Sequence, residues 1–145
     1  MDTSSITREI GDFYDRYVGS YNNGDLDRYC DCFGVPLSVV ADAQSKVFTS
    51  AAEVRESAEA QQRSFASSRW SHSVVLAKRV WLVNPELAVI VADLQRVDLS
   101  GEVYQTGRCV YNVVRQNGGW RIVTVAQSVG GLPSSDGLLD PPAAG

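Results

Sequence analysis

The feature that most constrains the fold is a run of four long, apolar-rich segments in the second half of the sequence. The segments cover residues 70–83, 87–99, 103–115 and 120–129, and the turns between them are Asn84-Pro85-Glu86, Ser100-Gly101 and Asn117-Gly118-Gly119. Gly, Pro and Asn favour turns, and Asn-Gly between apolar runs is a strong hairpin signal. Because connections this short join antiparallel neighbours, the sequence predicts an antiparallel meander of four strands.

The first half of the sequence has helical periodicity instead. Apolar residues in positions 6–21 recur every three or four residues, which is the spacing of one helix face, and Gly24 suits a left-handed C-cap. A second, short helix can begin at Asp25. Ser50 and Glu53 have the spacing of a capping box, which predicts the start of a third helix.

The segment between the second and third helices reads as extended. Residues 35–43 predict one strand, and Val47-Phe48 predicts a second, short one. Helices first and a meander last is an order typical of α+β folds, with the helices packed on one face of a curved antiparallel sheet. We expect one domain over residues 1–129. Residues 130–145, rich in Gly, Pro, Ser and Ala, are expected to form a disordered tail.

Charge and composition exclude several classes of function. Seventeen acidic residues against thirteen Lys and Arg give a net charge of −4 in 145 residues, a poor match for nucleic acid or an anionic membrane. No apolar run reaches the roughly 18 residues of a membrane span, and the first residues lack the layout of a signal peptide. We therefore expect a cytoplasmic protein without nucleic-acid or membrane partners.

The sequence also lacks the signatures of metal and cofactor sites. Cys30, Cys32 and Cys109 complete neither a disulfide framework nor a zinc-ligand set. There is no Gly-rich nucleotide-binding loop and no G-x-S-x-G nucleophile motif. We therefore expect no cofactor and no metal.

Three short motifs carry a resemblance to a known family. They are Arg-Tyr-Val at residues 16–18, Asn-Gly-Asp-Leu-Asp at residues 23–27 and Asn-Gly-Gly-Trp-Arg-Ile at residues 117–122. Over residues 6–129 the chain resembles the nuclear transport factor 2-like superfamily, which includes ketosteroid isomerase, limonene epoxide hydrolase, scytalone dehydratase and the SnoaL-like polyketide cyclases. The resemblance implies a cone-shaped antiparallel sheet around a pocket, with three helices from the N-terminal half packed on its concave face. Many members dimerise through the outer sheet face.

The resemblance to ketosteroid isomerase suggests hydrogen-bond donors and a base. It puts Tyr17 at the position of the oxyanion-binding tyrosine and Asn112 at that of the oxyanion-binding aspartate. An Asn amide can still donate a hydrogen bond. A gapless alignment puts Val40 at the position of the base. Asp42 lies two residues on, which keeps the same strand face, so it is the candidate base.

The resemblance to limonene epoxide hydrolase lies at Arg96-Val97-Asp98. Residues i and i+2 share a strand face, so the resemblance implies that Arg96 orients Asp98 while Asp98 protonates an epoxide oxygen. Ile122 stands where that enzyme has a second aspartate, which leaves water activation without a base. The alternative is that Arg96 and Asp98 form an ordinary ion pair at the strand end, with each other or with a neighbouring residue.

His72 completes the candidate catalytic set of Asp42, His72, Arg96 and Asp98. Scytalone dehydratase-like and SnoaL-like members often carry a pocket histidine on the equivalent strand, and an imidazole is a natural acid or base near neutral pH. The alternative is a structural residue or a residue at the pocket rim, because Trp70-Ser71-His72-Ser73 stands where the strand begins.

The candidate substrate-binding residues are Tyr14, Tyr17, Tyr111, Asn112 and Trp120. Amphipathic rings suit a mostly apolar ligand with a few polar groups. The sequence therefore predicts a small, mostly hydrophobic ligand and cofactor-free acid–base chemistry: isomerisation, dehydration, cyclisation or epoxide opening. The alternative is a non-catalytic, dimeric binding or scaffold module. Both faces of residues 87–99 are partly apolar, which suits a core on one side and a homodimer contact through the outer sheet face.

Overall fold

Three helices and six strands form the part of the chain, residues 2–41 and 43–128, that the computed structural model describes. The elements are α1 (Thr3–Asn23), α2 (Leu26–Asp31), β1 (Phe33–Ala41), β2 (Gln44–Phe48), α3 (Ala51–Ala66), β3 (Trp70–Asn84), β4 (Leu87–Asp98), β5 (Val103–Gln116) and β6 (Gly119–Gln127). This order confirms the predicted α+β class. Asp42 and the predicted tail at residues 130–145 lie outside the described residues.

The predicted capping residues define the helix ends. Gly24 follows α1 with a φ of 67°, a left-handed conformation that glycine adopts without a steric penalty. The Asp25 carboxylate accepts the backbone N–H three residues on, at 3.3 Å. At α3, Ser50 Oγ accepts from the Glu53 N–H at 3.2 Å, while the Glu53 carboxylate accepts from the Thr49 N–H at 2.8 Å. None of the described helices combines the length and apolar character needed to cross a membrane.

The strands form one curved sheet in the order β2-β1-β6-β5-β4-β3. The meander β3-β4-β5-β6 is antiparallel throughout, as the short turns predict. The sheet as a whole is mixed, because β1 runs parallel to β6, with Ser38 opposite Thr124 and Val39 opposite Val125. Turn length constrains only strands that follow each other in sequence, so it gives no information on this pairing.

Helix α1 packs its apolar face on the inner face of the sheet. Ile10 and Tyr14 have no exposed surface, and Ile6 is 2% exposed. The sheet side of this core consists of residues on five of the six strands: Leu37, Phe48, Ala88, Ile90, Ala92, Tyr111, Val113, Trp120, Ile122 and Val125. Burying a side chain as large as valine or isoleucine stabilises the fold by about 1.5–3 kcal/mol. The core therefore fixes α1 across the sheet.

A polar contact aligns the end of α1 with β3. The Asn22 amide donates to the Ser73 carbonyl at 2.9 Å and accepts from the Ser73 N–H at 2.8 Å. Further along β3, Lys78 Nζ donates to the Gly11 carbonyl of α1 at 3.2 Å and to the Asp15 carboxylate. These contacts hold the tyrosines of α1 at a fixed height above the sheet.

Candidate functional site

A cavity of about 280 Å³ lies between the helices and the inner face of the sheet. Each helix and each strand of the described residues contributes at least one side chain to its wall. Its aromatic wall residues are Tyr14, Tyr17, Tyr21, Tyr29, Phe33, Phe48 and Tyr111. A concave site with mostly apolar walls and a few converging polar groups is the usual form of a small-molecule site.

Tyr17 stands at the centre of this aromatic wall. Its ring centroid lies 5.7 Å from that of Tyr14, 5.5 Å from Tyr29 and 5.7 Å from Tyr111. The contacts with Tyr111 and with Phe33, at 5.8 Å, are edge-to-face, an arrangement that the quadrupoles of aromatic rings favour. Residues three and seven apart share a helix face, which is why α1 directs several rings into one space.

Hydroxyl groups of these rings make hydrogen bonds within the fold. Tyr14 Oη donates to Tyr111 Oη at 3.2 Å, and Tyr29 Oη donates to Gln61 Oε1 on α3 at 3.2 Å. Burial raises the pKa of Tyr14, Tyr17 and Tyr111 well above the usual range, and raises the pKa of Tyr29 to about 12. The phenols therefore stay protonated at neutral pH, as hydrogen-bond donors and not as bases.

Polar and charged side chains on the strands also line the cavity. Arg96 on β4 donates through Nη1 to Gln105 Oε1 on β5 at 3.2 Å, and its guanidinium carbon lies 5.4 Å from the Phe65 ring centroid. Lys46 on β2 also lines the cavity. The Cys109 thiol is part of the wall, and burial raises its pKa, so it remains a neutral thiol. The cavity therefore combines neutral donors with two cations.

The described wall residues include neither a carboxylate nor an imidazole. Within residues 2–41 and 43–128, no group of three or more His, Cys, Asp or Glu side chains is placed to hold a metal ion. The chemistry that this wall can supply is therefore hydrogen-bond donation, cationic attraction and apolar contact.

Four of the residues singled out from the sequence come together at the cavity: Tyr14, Tyr17, Arg96 and Tyr111. Asn112 follows Tyr111 on β5, so its side chain points to the opposite face of the sheet. Its backbone N–H donates to Thr124 Oγ1 at 3.1 Å. Asn112 therefore does not join Tyr17 as a second donor, because side chains alternate along a strand.

Trp120 lies in the core and does not border the cavity. Its side chain is 2% exposed, and the Arg115 guanidinium carbon lies 5.0 Å from its ring centroid. Val125, which does border the cavity, lies five residues further along β6, a distance of about 16 Å in an extended strand. Trp120 is thus part of the core on the inner face of the sheet and not of the cavity wall.

Asp98 closes the turn between β4 and β5 instead of joining Arg96. Its Oδ1 accepts from Ser100 Oγ at 2.6 Å, from the Ser100 N–H at 2.9 Å and from the Glu102 N–H at 3.0 Å, while Oδ2 pairs with Arg69 at 2.7 Å. The Ser100 hydroxyl, with Arg69 and the backbone N–H groups, holds the pKa of Asp98 well below its usual range. The alternation argument did not anticipate this, because the register shifts between Arg96 and Val97.

His72 is exposed and lies next to Ser73, which is buried and lines the cavity. Neighbouring strand residues point to opposite faces, so the imidazole is on the outer face, with Nδ1 3.1 Å from Ser71 Oγ. The structure does not bring His72 to the cavity wall. Val40 is 42% exposed, and Asp42 lies outside the described residues.

Gln61, Gln105 and Lys46 line the cavity but were not among the candidates from the sequence. Gln61 has a signal that could have been used, since it follows Val54 and Ala58 at helical spacing. Gln105 lies opposite Arg96 across the β4–β5 hairpin, so the hairpin register could have paired them. Nothing in the sequence around Lys46 indicates its position.

Comparison with known proteins places the chain among proteins of this fold. Residues 8–129 match the family model described as NTF2-like protein (DUF6841). No curated protein matches the chain.

Three solved structures illustrate the likeness. An NTF-2 like protein of unknown function from Shewanella oneidensis MR-1 is 17% identical with a TM-score of 0.69, over 84% of this chain and 98% of that one. An NTF2-like protein with a cystatin-like fold from Novosphingobium aromaticivorans is 16% identical with a TM-score of 0.70, over 92% and 88%. A protein of unknown function with a cystatin-like fold from Nostoc punctiforme PCC 73102 is 16% identical with a TM-score of 0.68, over 87% and 90%.

At these identities the solved structures establish the fold, and they leave the function open because one scaffold can carry many sites. The family model covers most of the chain, including every strand and about three quarters of α1. The chain therefore belongs to the NTF2-like protein (DUF6841) family.

Proposed function

We propose that the protein binds a small, largely apolar molecule in the cavity between its helices and its sheet. The observation that carries this proposal is the cavity itself, about 280 Å³ in volume and walled by aromatic rings with converging polar groups. Its volume is close to the lower end of the range for drug-sized ligands, roughly 300–1,000 Å³. A ligand with one ring and a short polar substituent matches this space.

The wall suits recognition of an acceptor group on such a ligand. Tyrosines with a raised pKa donate hydrogen bonds to a carbonyl or hydroxyl oxygen without losing their protons. The ring faces and edges around Tyr17 provide contact for an apolar body. The hydroxyl groups therefore orient the ligand, and apolar contact supplies most of the affinity.

Proton-transfer catalysis in this cavity would need a base beside those donors. The described wall residues lack a carboxylate and an imidazole, which favours a binding role over isomerisation, dehydration, cyclisation or epoxide opening. Asp42 remains the candidate base from the sequence. Substitution Asp42→Asn would test the catalytic alternative, since an enzyme with Asp42 as its base would lose turnover of its substrate in that variant.

The cavity proposal can be tested with neutral probes and a cavity-filling variant. Indole, 4-methylphenol and 3-phenylpropanamide are titrated into the protein by ligand-observed NMR and calorimetry. Cys109→Trp adds a ring inside the cavity, whereas Val110→Trp, its neighbour on β5, adds the same ring on the outer face. Circular dichroism confirms that both variants fold.

We expect at least one probe to bind the unaltered protein, with an affinity at least tenfold lower in Cys109→Trp and within about threefold in Val110→Trp. A tenfold loss corresponds to about 1.4 kcal/mol. Failure of all three probes to bind, or equal affinity in Cys109→Trp, would overturn the proposal.

As the protein partner we propose a second copy of the chain, bound through the outer sheet face. Val74, Leu76 and Val83 on β3 are 39%, 49% and 61% exposed, and the Trp81 indole N–H is buried without a partner among the described residues. Exposed apolar groups on a sheet face favour contact with another surface. The double change Val74→Glu/Leu76→Glu should convert a dimer to a monomer in light scattering, whereas Val47→Glu on β2 should not.

A further inference from the structure

The charged groups on the cavity wall all have the same sign. Arg96 and Lys46 are cations, and the described wall residues include neither Asp nor Glu. This differs from the chain as a whole, which carries a net charge of −4. A cleft lined by charge of one sign concentrates the field and attracts ligands of the opposite sign. The charge of the wall is therefore opposite in sign to that of the protein as a whole.

Arg96 also differs from three arginines, on the sheet and at its edge, that pair with carboxylates. Arg108 pairs with Asp93 at 2.7 Å, Arg69 with Asp98 at 2.7 Å and Arg115 with Glu9 at 3.2 Å. Among the described residues Arg96 has no carboxylate partner, and its hydrogen bond goes to a neutral amide. A half-buried guanidinium without a counter-ion loses hydration without full compensation. An anionic ligand group would supply the missing partner.

The surroundings of Arg96 hold its guanidinium in a fixed orientation. Gln105 Oε1 accepts from Nη1 at 3.2 Å, and the Phe65 ring supports the planar group with a centroid distance of 5.4 Å. Nη2 and Nε are then available to a planar two-oxygen acceptor, the geometry in which arginine binds carboxylates through two parallel hydrogen bonds. A neutral acceptor would use at most one of these donors well.

The rest of the wall defines the body of the ligand. Tyr14, Tyr17, Tyr29 and Tyr111 enclose an apolar, ring-lined space. A volume of about 280 Å³ equals that of about nine water molecules in the liquid, at about 30 Å³ each. This space admits one ring or a fused pair of rings with a short chain.

From these features we infer that the cavity takes a small organic carboxylate with an apolar or aromatic body, and that Arg96 binds its carboxylate group. This inference rests on the proposed function, that the cavity binds a small molecule. It adds the sign of the ligand charge, the class of its polar group and the residue that recognises it.

A set of three probes with the same body tests the inference. The probes are 3-phenylpropionate, 3-phenylpropanamide and 3-phenylpropylamine, which are anionic, neutral and cationic at pH 7. Their dissociation constants are measured by calorimetry for the unaltered protein, Arg96→Gln, Arg96→Lys and Arg63→Gln. Arg63 is exposed on α3 and does not line the cavity, so Arg63→Gln makes the same change in net charge away from the site.

We expect the carboxylate to bind the unaltered protein at least tenfold more tightly than the amide, and the amine to bind most weakly. Arg96→Gln should weaken carboxylate binding at least tenfold and leave amide binding within about twofold, which also verifies that the cavity is intact. Arg96→Lys should retain part of the preference, because it keeps the charge without the planar fork. Arg63→Gln should behave as the unaltered protein.

Two results would overturn the inference while leaving the cavity proposal in place. One is equal affinity of the carboxylate and the amide for the unaltered protein. The other is unchanged carboxylate binding in Arg96→Gln. Absence of binding by the neutral probes of the preceding experiment would instead overturn the proposed function itself.

Discussion

The buried hydroxyl pair of Tyr14 and Tyr111 allows a prediction of stability that depends on which partner is removed. Tyr14 has no exposed surface and Tyr111 is 3% exposed, and their oxygens are 3.2 Å apart. In Tyr111→Phe the donor of Tyr14 loses its acceptor, and an unsatisfied buried polar group costs about 1–3 kcal/mol. In Tyr14→Phe the Tyr111 hydroxyl loses one donor but can still rotate, so we expect a loss of about 1 kcal/mol.

The double variant Tyr14→Phe/Tyr111→Phe should be more stable than the sum of the two single losses predicts. With both hydroxyls removed, neither partner is left unsatisfied, and contacting residues typically couple by about 0.5–3 kcal/mol. We expect a coupling of about 1 kcal/mol in the free energy of unfolding, obtained from urea denaturation followed by circular dichroism. Tyr104→Phe, on the same strand as Tyr111 but outside the pair, is the matched control. Strict additivity, or a Tyr111→Phe loss below that of Tyr14→Phe, would refute the reasoning.

Three further predictions follow from the core, the β4–β5 turn and the outer face. Ile10→Ala, at a position with no exposed surface, should lower the free energy of unfolding by about 2–5 kcal/mol, as measured in urea; a loss below about 1 kcal/mol would contradict the packing of α1. Because the folded pKa of Asp98 lies below its ordinary value of 3.8, its carboxylate stabilises the fold fully above that pH and less as the pH falls. Asp98→Asn should therefore lower the urea midpoint at pH 7 and flatten its decrease between pH 4 and 2, and an unchanged acid limb would exclude this role. His72→Ala should leave probe affinity within about twofold by calorimetry, since the side chain is exposed on the face opposite Ser73. A tenfold loss of affinity would mean that His72 contributes to the cavity.

Local patterns predict those features that depend on near neighbours in sequence. The helical spacing of Tyr14 and Tyr17 places both on the buried face of α1, because a helix repeats every 3.6 residues whatever packs on it. The Asn117-Gly118 turn joins β5 and β6 as predicted. The Ser50 and Glu53 caps likewise involve residues only a few positions apart. The α+β class follows from the order of these elements.

Features that depend on register or on distant pairing escape such patterns. The parallel contact of β1 with β6 joins segments about 85 residues apart in sequence, as in the pairing of Ser38 with Thr124. Asp98 was expected to share a function with Arg96, but a shift in register and the turn that follows direct its carboxylate to backbone N–H groups. A single extra residue in a ladder changes which side chains meet, and the sequence carries no clear signal of where that occurs.

The sequence by itself therefore determined the elements, their order and the apolar face of α1, because these follow from periodicity and turn chemistry over a few residues. Only the tertiary structure decided which side chains share the cavity. Arg96, Gln105 and Lys46 come from three different strands, and they meet at the wall through strand pairing and the packing of the helices. The positive sign of that wall is a property of long-range contacts, which no local pattern encodes.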